Sequence, residues 1–208
     1  MSELYNSLRL TQTAATITSI LDVDTPDTFD PECEILIQKA KAIFNGEKAD
    51  RVFIYNPDAI ALWIFQKYTS LFKDVILRTD LQLPVLSVMP SVTPVCFASM
   101  YTGVVPEIHG IKKYEKPVLK NKTVFDALLE SGKRCAIVST EGDSISKIFL
   151  EREMDYYIYE THQECNAKAL ELIKEDIYDL IVLYNGNYDS TMHKYAPESQ
   201  ESIEALKD

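Results

Sequence analysis

Apolar residues follow two regimes along the chain. Through residues 1–48 they recur at helical spacing, at Ala14, Ile17 and Leu21 and then at Leu36, Ala40, Ile43 and Phe44. That spacing predicts two amphipathic helices. Residues 27–31 punctuate them, and Gly46 closes the second where a left-handed residue ends a helix. From Arg51 onward, short apolar runs alternate with helix-length amphipathic segments. The runs RVFIYN, PVLSVM, RCAIVS, DYYIY and DLIVLYN read as strands. The segments DAIALWIFQKYTSLF, PVCFASMYTG, TVFDALLESG, SISKIFLE and HQECNAKALELIKED read as helices.

The strand-like runs are continuous rather than alternating, as parallel strands covered on both faces should be. Repeated strand–helix–strand order predicts an α/β fold, a mostly parallel sheet with helices on both faces and right-handed crossovers. No fixed-period repeat or disordered linker interrupts the pattern. A chain of 208 residues suits one domain. Within it, residues 1–48 form a helical segment and residues 51–208 the core. The last stretch, APESQESIEALKD, begins like a helix at Pro197 and stops without a cap or breaker. A frayed terminal helix and a cut within a longer protein both fit it.

Composition adds exclusions. The chain is 46% hydrophobic and 25% charged, as an ordinary globular protein is. Its formal charge of -11 argues against nucleic acid polymers and anionic membranes as partners. An anionic substrate stays open, because a bound cation reverses the local field. No apolar stretch is long enough to span a bilayer, and MSELYNSLRLTQ is no export signal, so the expectation is a cytoplasmic protein. Cys33, Cys96, Cys135 and Cys165 form no Cys-x-x-Cys pair and read as free thiols.

In open α/β sheets, ligands bind beyond the carboxyl ends of the strands, where helix N-termini point inward. Three strand-like runs deliver polar groups there: Asp58 after the first, Thr93 after PVLSVM, and Asp189 with His193 after the last. Each has a plain alternative. Asp58 and the Thr93–Pro94 pair suit helix caps, Asp189 and Ser190 suit a turn, and His193 suits the surface. Caps do not explain the whole of DSTMH. Together the four residues suit phosphoryl transfer: Asp and His ligate zinc or a similar divalent ion. Coordination lowers the pKa of a threonine hydroxyl enough to make it a nucleophile. Two metals about 4 Å apart can hold the attacking and leaving oxygens.

MPSVTPVCFASMYTGVVPEIHGI resembles the nucleophile segment of the alkaline phosphatase superfamily, in its type I phosphodiesterase and nucleotide pyrophosphatase group. The tail Thr102-Gly103-Val104-Val105-Pro106-Glu107-Ile108-His109-Gly110 matches the group's Thr-Gly-x-x-Pro-x-x-His-Gly and puts the nucleophile at Thr93. YDSTMHKYAPES is similar to the segment whose Asp and His bind one metal, which carries over to Asp189 and His193. Asp58 matches by position the Asp that binds the other metal together with the nucleophile. His109 belongs to the tail, where the resemblance gives it the role of fixing the loop. The resemblance implies an alkaline-phosphatase-like core and two divalent ions, zinc foremost and manganese second. It also implies a small phosphoester or phosphonate substrate.

The sequence departs from the group in three places. Tyr114 stands where an Asn contacts the phosphate, and Met192 and Ala196 stand where the group has Gly. The later Asp–His pair and further His that complete the two metal sites do not follow His193. His162 lies upstream in a helix-like stretch and does not replace them. The leading reading is therefore part of a metal-dependent phosphoester hydrolase. The alternative is a non-catalytic α/β module that binds a phosphorylated ligand or partner. A third reading has a second chain supplying ligands. Residues 1–48 leave a sheet-edge cover or a homo-oligomeric contact open, and the lysine-rich residues 111–122 read as a solvated loop or as a steering surface for an anionic substrate.

Overall fold

The computed structural model describes residues 8–208, so the part of the helical expectation on residues 1–7 lies outside the described residues. A short 3-10 turn, Leu10–Gln12, leads into α1 (Thr13–Ile20), followed by α2 (Glu34–Ile43). Strand β1 (Val52–Pro57) precedes α3 (Leu62–Lys67) and α4 (Lys73–Ile76). Helices α5 (Thr93–Thr102), α6 (Pro106–His109) and α7 (Val124–Glu130) come before β2 (Cys135–Thr140). The remainder alternates: α8 (Ser144–Ile148), β3 (Asp155–Tyr159), α9 (His162–Glu175) and β4 (Leu180–Asn185). Helices α10 (Asn187–Tyr195) and α11 (Gln200–Ala205) close the chain.

The strands form one parallel sheet in the order β1-β4-β2-β3. Ile137, Leu180, Val182 and Tyr184 turn one face toward α1, α5, α7 and α8. Ala136, Val138, Ile181 and Leu183 turn the other toward α9. The α/β expectation with helices on both faces holds. Full burial holds only for the inner strands, since β1 alternates and β3 is partly exposed. Both are edge strands. On β1 the side chains of Phe53 and Tyr55 are 42% and 46% exposed, and no described strand pairs with its outer side.

One predicted strand is absent. PVLSVM is irregular, with a single parallel bridge between Leu86 and Arg9. The Leu86 amide donates to Leu8 O at 2.8 Å and its carbonyl accepts from Leu10 N at 3.0 Å. The segment before α1 thus takes the hydrogen bonds a sheet neighbour would take. Pro84 and Pro90 bracket the run and donate none. The long helix predicted after β1 is also broken. Ala59 adopts a left-handed φ of +62°, which delays α3 to Leu62. At the chain end, Ser199 rather than Pro197 begins the helix, its hydroxyl accepting from Ser202 N at 3.1 Å.

The core fixes α5, and α5 matters for the site. Tyr101 of α5, Phe125 of α7 and Phe149 after α8 are each fully buried and pack with ring centroids 5.1–5.4 Å apart. The Tyr101 hydroxyl accepts from Asn56 Nδ2 at 2.9 Å, tying the helix to the end of β1. Gly103 ends α5 with φ +65°, and a Cβ there would lie 2.9 Å from Phe29. No helix among the described residues is long and apolar enough to cross a membrane.

Candidate active site

Asp58 follows β1 directly, and its amide still donates to Asn185 O of β4 at 2.9 Å. The left-handed turn at Ala59 lets the Ala59 amide donate to Asp58 Oδ1 at 2.8 Å. Asp58 Oδ2 accepts from Thr93 Oγ1 at 2.8 Å and from the Tyr184 hydroxyl at 2.7 Å. Neither Asp58 nor Thr93 caps a helix. Helix α3 starts four residues after Asp58, and Thr93 is already the first residue of α5, with Val92 as its N-cap. The cap alternatives fail for both residues. A cleft of about 470 Å³ opens beside them, lined by Tyr55, Asp58, Thr93, Cys96, Phe97 and Tyr184 among others.

Asp189 and His193 lie one turn apart on α10, with His193 Nε2 3.4 Å from Asp189 Oδ1. The stretch is helical, so the turn alternative for Asp189 fails, whereas His193 is exposed as its plain alternative had it. Burial raises the Asp189 carboxyl above the usual range; the charge of Asp58 adds to this and His193 opposes it. Asn185 positions the start of α10. Its Oδ1 accepts from Asn187 N at 2.9 Å, and its Nδ2 donates to the Tyr55 hydroxyl at 3.0 Å.

Two groups at this edge escaped the sequence reading. Tyr184 lies inside an apolar strand and is 6% exposed; its ring meets Phe97 edge-on with centroids 5.3 Å apart. Nothing in a strand pattern separates it from core. Asp143 follows β2, and its carboxylate accepts from Thr140 N at 2.9 Å and Thr140 Oγ1 at 2.6 Å. Burial raises its pKa, those bonds oppose the shift, and Asp58 adds a smaller push upward. The rule that strand ends carry function would have flagged it had it been applied to STEGD.

His109 is 5% exposed and shares a 2.9 Å hydrogen bond with Ser99 Oγ through Nε2. Its Nδ1 accepts from Ile111 N at 3.2 Å, so both ring nitrogens are engaged and it ties the loop to α5. Burial lowers its pKa to about 4, against a small opposing contribution from Glu107. The unfolded chain therefore binds a proton that the native state refuses between about pH 6.5 and pH 4. Stability from this residue is complete above about pH 6.5 and is lost as pH falls toward 4. Urea midpoints across that window should fall with pH in the wild type and fall less in His109→Asn.

The remaining motif residues are placed as follows. Tyr114 is 64% exposed, with Lys116 Nζ 5.1 Å from its ring centroid. Ala196 takes φ +83°, ψ 152°, a glycine-favoured conformation that matches the Gly of the resembling motif. In the lysine-rich loop, Lys116 donates to Gly142 O at 2.7 Å, and Lys120 and Lys122 pair with Glu151 and Glu130. The pairing favours the solvated-loop reading. His162 starts α9, on the other face of the sheet.

The donor set can be weighed against the divalent ions that the resemblance implies. Asp58 with Thr93 and Asp189 with His193 are oxygen and imidazole donors of the kind zinc and manganese take. The upward push of Asp58 on Asp189 means that the carboxylates sense each other, a repulsion a cation relieves. They fit in kind. In number they fall short of a closed site, since no group of three or more His, Cys, Asp or Glu converges among the described residues.

Residues 57–127, which include Asp58 and Thr93, match the family model for type I phosphodiesterase / nucleotide pyrophosphatase. No curated protein matches the chain by sequence. Among solved structures, the chain resembles murine ectonucleotide pyrophosphatase / phosphodiesterase 5 in an inactive threonine-to-alanine form in complex with AMP. The TM-score is 0.62 at 15% identity, over 77% of this chain and 49% of that one. Another structure of the same murine protein matches with a TM-score of 0.60 at 15% identity, over 76% and 49%. The chain thus spans about half the length of these structures. The match shows that this chain shares the α/β fold of that protein.

Proposed function

We propose that the chain carries the nucleophile half of a metal-dependent phosphoester hydrolase, with nucleotide phosphodiesters as substrates. The observation that carries this reading is the 2.8 Å hydrogen bond from Thr93 Oγ1 to Asp58 Oδ2, inside the segment matched by the family model. That bond commits the threonine proton to the carboxylate and leaves the oxygen lone pairs free for phosphorus. In the reaction Thr93 Oγ forms a bond to phosphorus as its proton passes to Asp58, and the P–O bond to the leaving alkoxide breaks, the alkoxide taking a proton from solvent. Water then attacks phosphorus and gives a proton to solvent, the bond from Thr93 Oγ to phosphorus breaks, and Thr93 regains its proton from Asp58. The N-terminus of α5 faces this oxygen and favours the negative charge that develops on phosphate. Divalent ions bound at the two pairs would supply charge neutralisation and a lowered hydroxyl pKa. Asp189 and His193 hold their donors on a rigid helix for the second ion.

The two-donor pairs support a further part of the reading, that additional donors come from substrate phosphate, water or more polypeptide. Strand β1, which ends at Asp58, is an edge strand whose outer side is unpaired among the described residues. Polypeptide running alongside it would bring groups next to Asp58. The same shortage supports a second reading, a module that binds a nucleotide without turning it over.

Hydrolysis of bis(p-nitrophenyl) phosphate with saturating zinc or manganese, beside calorimetric titration with AMP, separates the readings. Metal-dependent hydrolysis supports the hydrolase. AMP binding without hydrolysis supports the module, and neither activity in folded protein sinks both.

A further inference from the structure

The Asp58 carboxylate is held from three sides. Oδ1 accepts from the Ala59 amide at 2.8 Å, and Oδ2 accepts two hydroxyls, Thr93 at 2.8 Å and Tyr184 at 2.7 Å. Of these donors only Tyr184 arrives from β4, the strand that pairs with β1. Its ring is fixed by Phe97 and by burial at 6% exposure, so the hydroxyl has little freedom to swing away. Gly186, two residues on, leaves the phenol its space: a Cβ at that position would lie 2.8 Å from the Tyr184 hydroxyl.

We propose that Tyr184 is the positioning residue of the site, a fixed phenol donor that orients the Asp58 carboxylate so that Oδ2 faces Thr93. The inference rests on the reading of Asp58 and Thr93 as a donor pair, and it adds a residue that no motif assigns. The physical reason is geometric. A carboxylate on a single Cβ–Cγ bond rotates freely unless its oxygens are held, and one backbone amide fixes only one of them. Thr93 cannot serve as the second anchor, because the reaction uses its proton. Tyr184 keeps its hydrogen bond throughout, and outer donors of this kind set ligand orientation in metal sites. The strand-end glycine has the same explanation, since any side chain at Gly186 would displace the phenol.

Two variants test this on the full chain. Tyr184→Phe deletes only the hydroxyl and keeps the ring against Phe97, and Gly186→Ala puts a Cβ 2.8 Å from that hydroxyl. Metal-free crystal structures of both, with zinc titration by calorimetry, give readouts independent of turnover. Melting temperatures establish that both fold. The expected result is an Asp58 carboxylate rotated out of hydrogen-bond range of Thr93 in both variants, and zinc affinity lower by about 10- to 100-fold. An Asp58–Thr93 bond that survives in both variants overturns the proposal, as does unchanged zinc affinity. Should the wild type bind no zinc, the metal reading fails by itself, and the crystallographic position of Asp58 still decides the role of Tyr184. Should one variant fail to fold, the position of Asp58 in the other decides between the two results.

Discussion

Replacing Thr93 by alanine should lower phosphodiester turnover by about 10³-fold or more while leaving the protein folded. The threonine hydroxyl is placed to attack: half-buried at the cleft, at the first position of α5, and donating its proton in a hydrogen bond to Asp58. Its loss leaves no orphan. Asp58 keeps the Tyr184 hydroxyl and the Ala59 amide, so the carboxylate stays satisfied and the fold loses little. Thr93→Ser keeps a hydroxyl and should retain a measurable part of the rate. Initial rates at saturating zinc, with urea midpoints for each variant, give the comparison. Turnover that survives in Thr93→Ala assigns the nucleophile elsewhere.

The greatest loss of stability should come from Tyr101→Ala, about 3–5 kcal/mol. Tyr101 is fully buried and joins three aromatic neighbours, Phe97, Phe125 and Phe149, so truncation leaves a cavity that rigid rings cannot fill. The Asn56 side chain also loses its acceptor. Tyr101→Phe separates the two contributions: the ring stays, and only the hydrogen bond, about 1 kcal/mol, is lost. Urea denaturation followed by far-UV circular dichroism measures both. Because Tyr101 lies two turns along the helix from Thr93, loosening α5 should also lower activity before the protein unfolds.

The sheet was legible where strands are buried on both faces. RCAIVS and DLIVLYN became β2 and β4 because continuous apolar runs have no other use in an α/β layer. PVLSVM carries the same local signal and forms no strand. What decides it is non-local, since the segment before α1 occupies the hydrogen bonds of Leu86. No window of sequence contains that competition. The interruption at Ala59 is local instead: its left-handed φ of +62° goes with the Ala59 amide donating to the adjacent Asp58 Oδ1.

At the candidate site, Asp58, Thr93, Asp189 and His193 stood out in the sequence because they follow strand-like runs, at the sheet edge where ligands bind in open α/β folds. The structure joins Asp58 to Thr93 by a hydrogen bond and Asp189 to His193 by proximity. Tyr184 was not readable, because a tyrosine in mid-strand looks like core until its hydroxyl is seen on Asp58. The metals were implied by resemblance alone; the structure supplies donors of the right type in pairs.

If the two pairs act together on divalent ions, the chain must hold metal, and must hold it through both pairs. Elemental mass spectrometry of the purified chain, after equilibration with zinc and AMP and exhaustive dialysis, tests this beside Asp58→Asn and His193→Ala. The expected result is zinc retained at near-stoichiometric amounts in the wild type and lost in both variants. Zinc absent from the wild type, or retained equally in all three proteins, would mean that the pairs do not form a metal site.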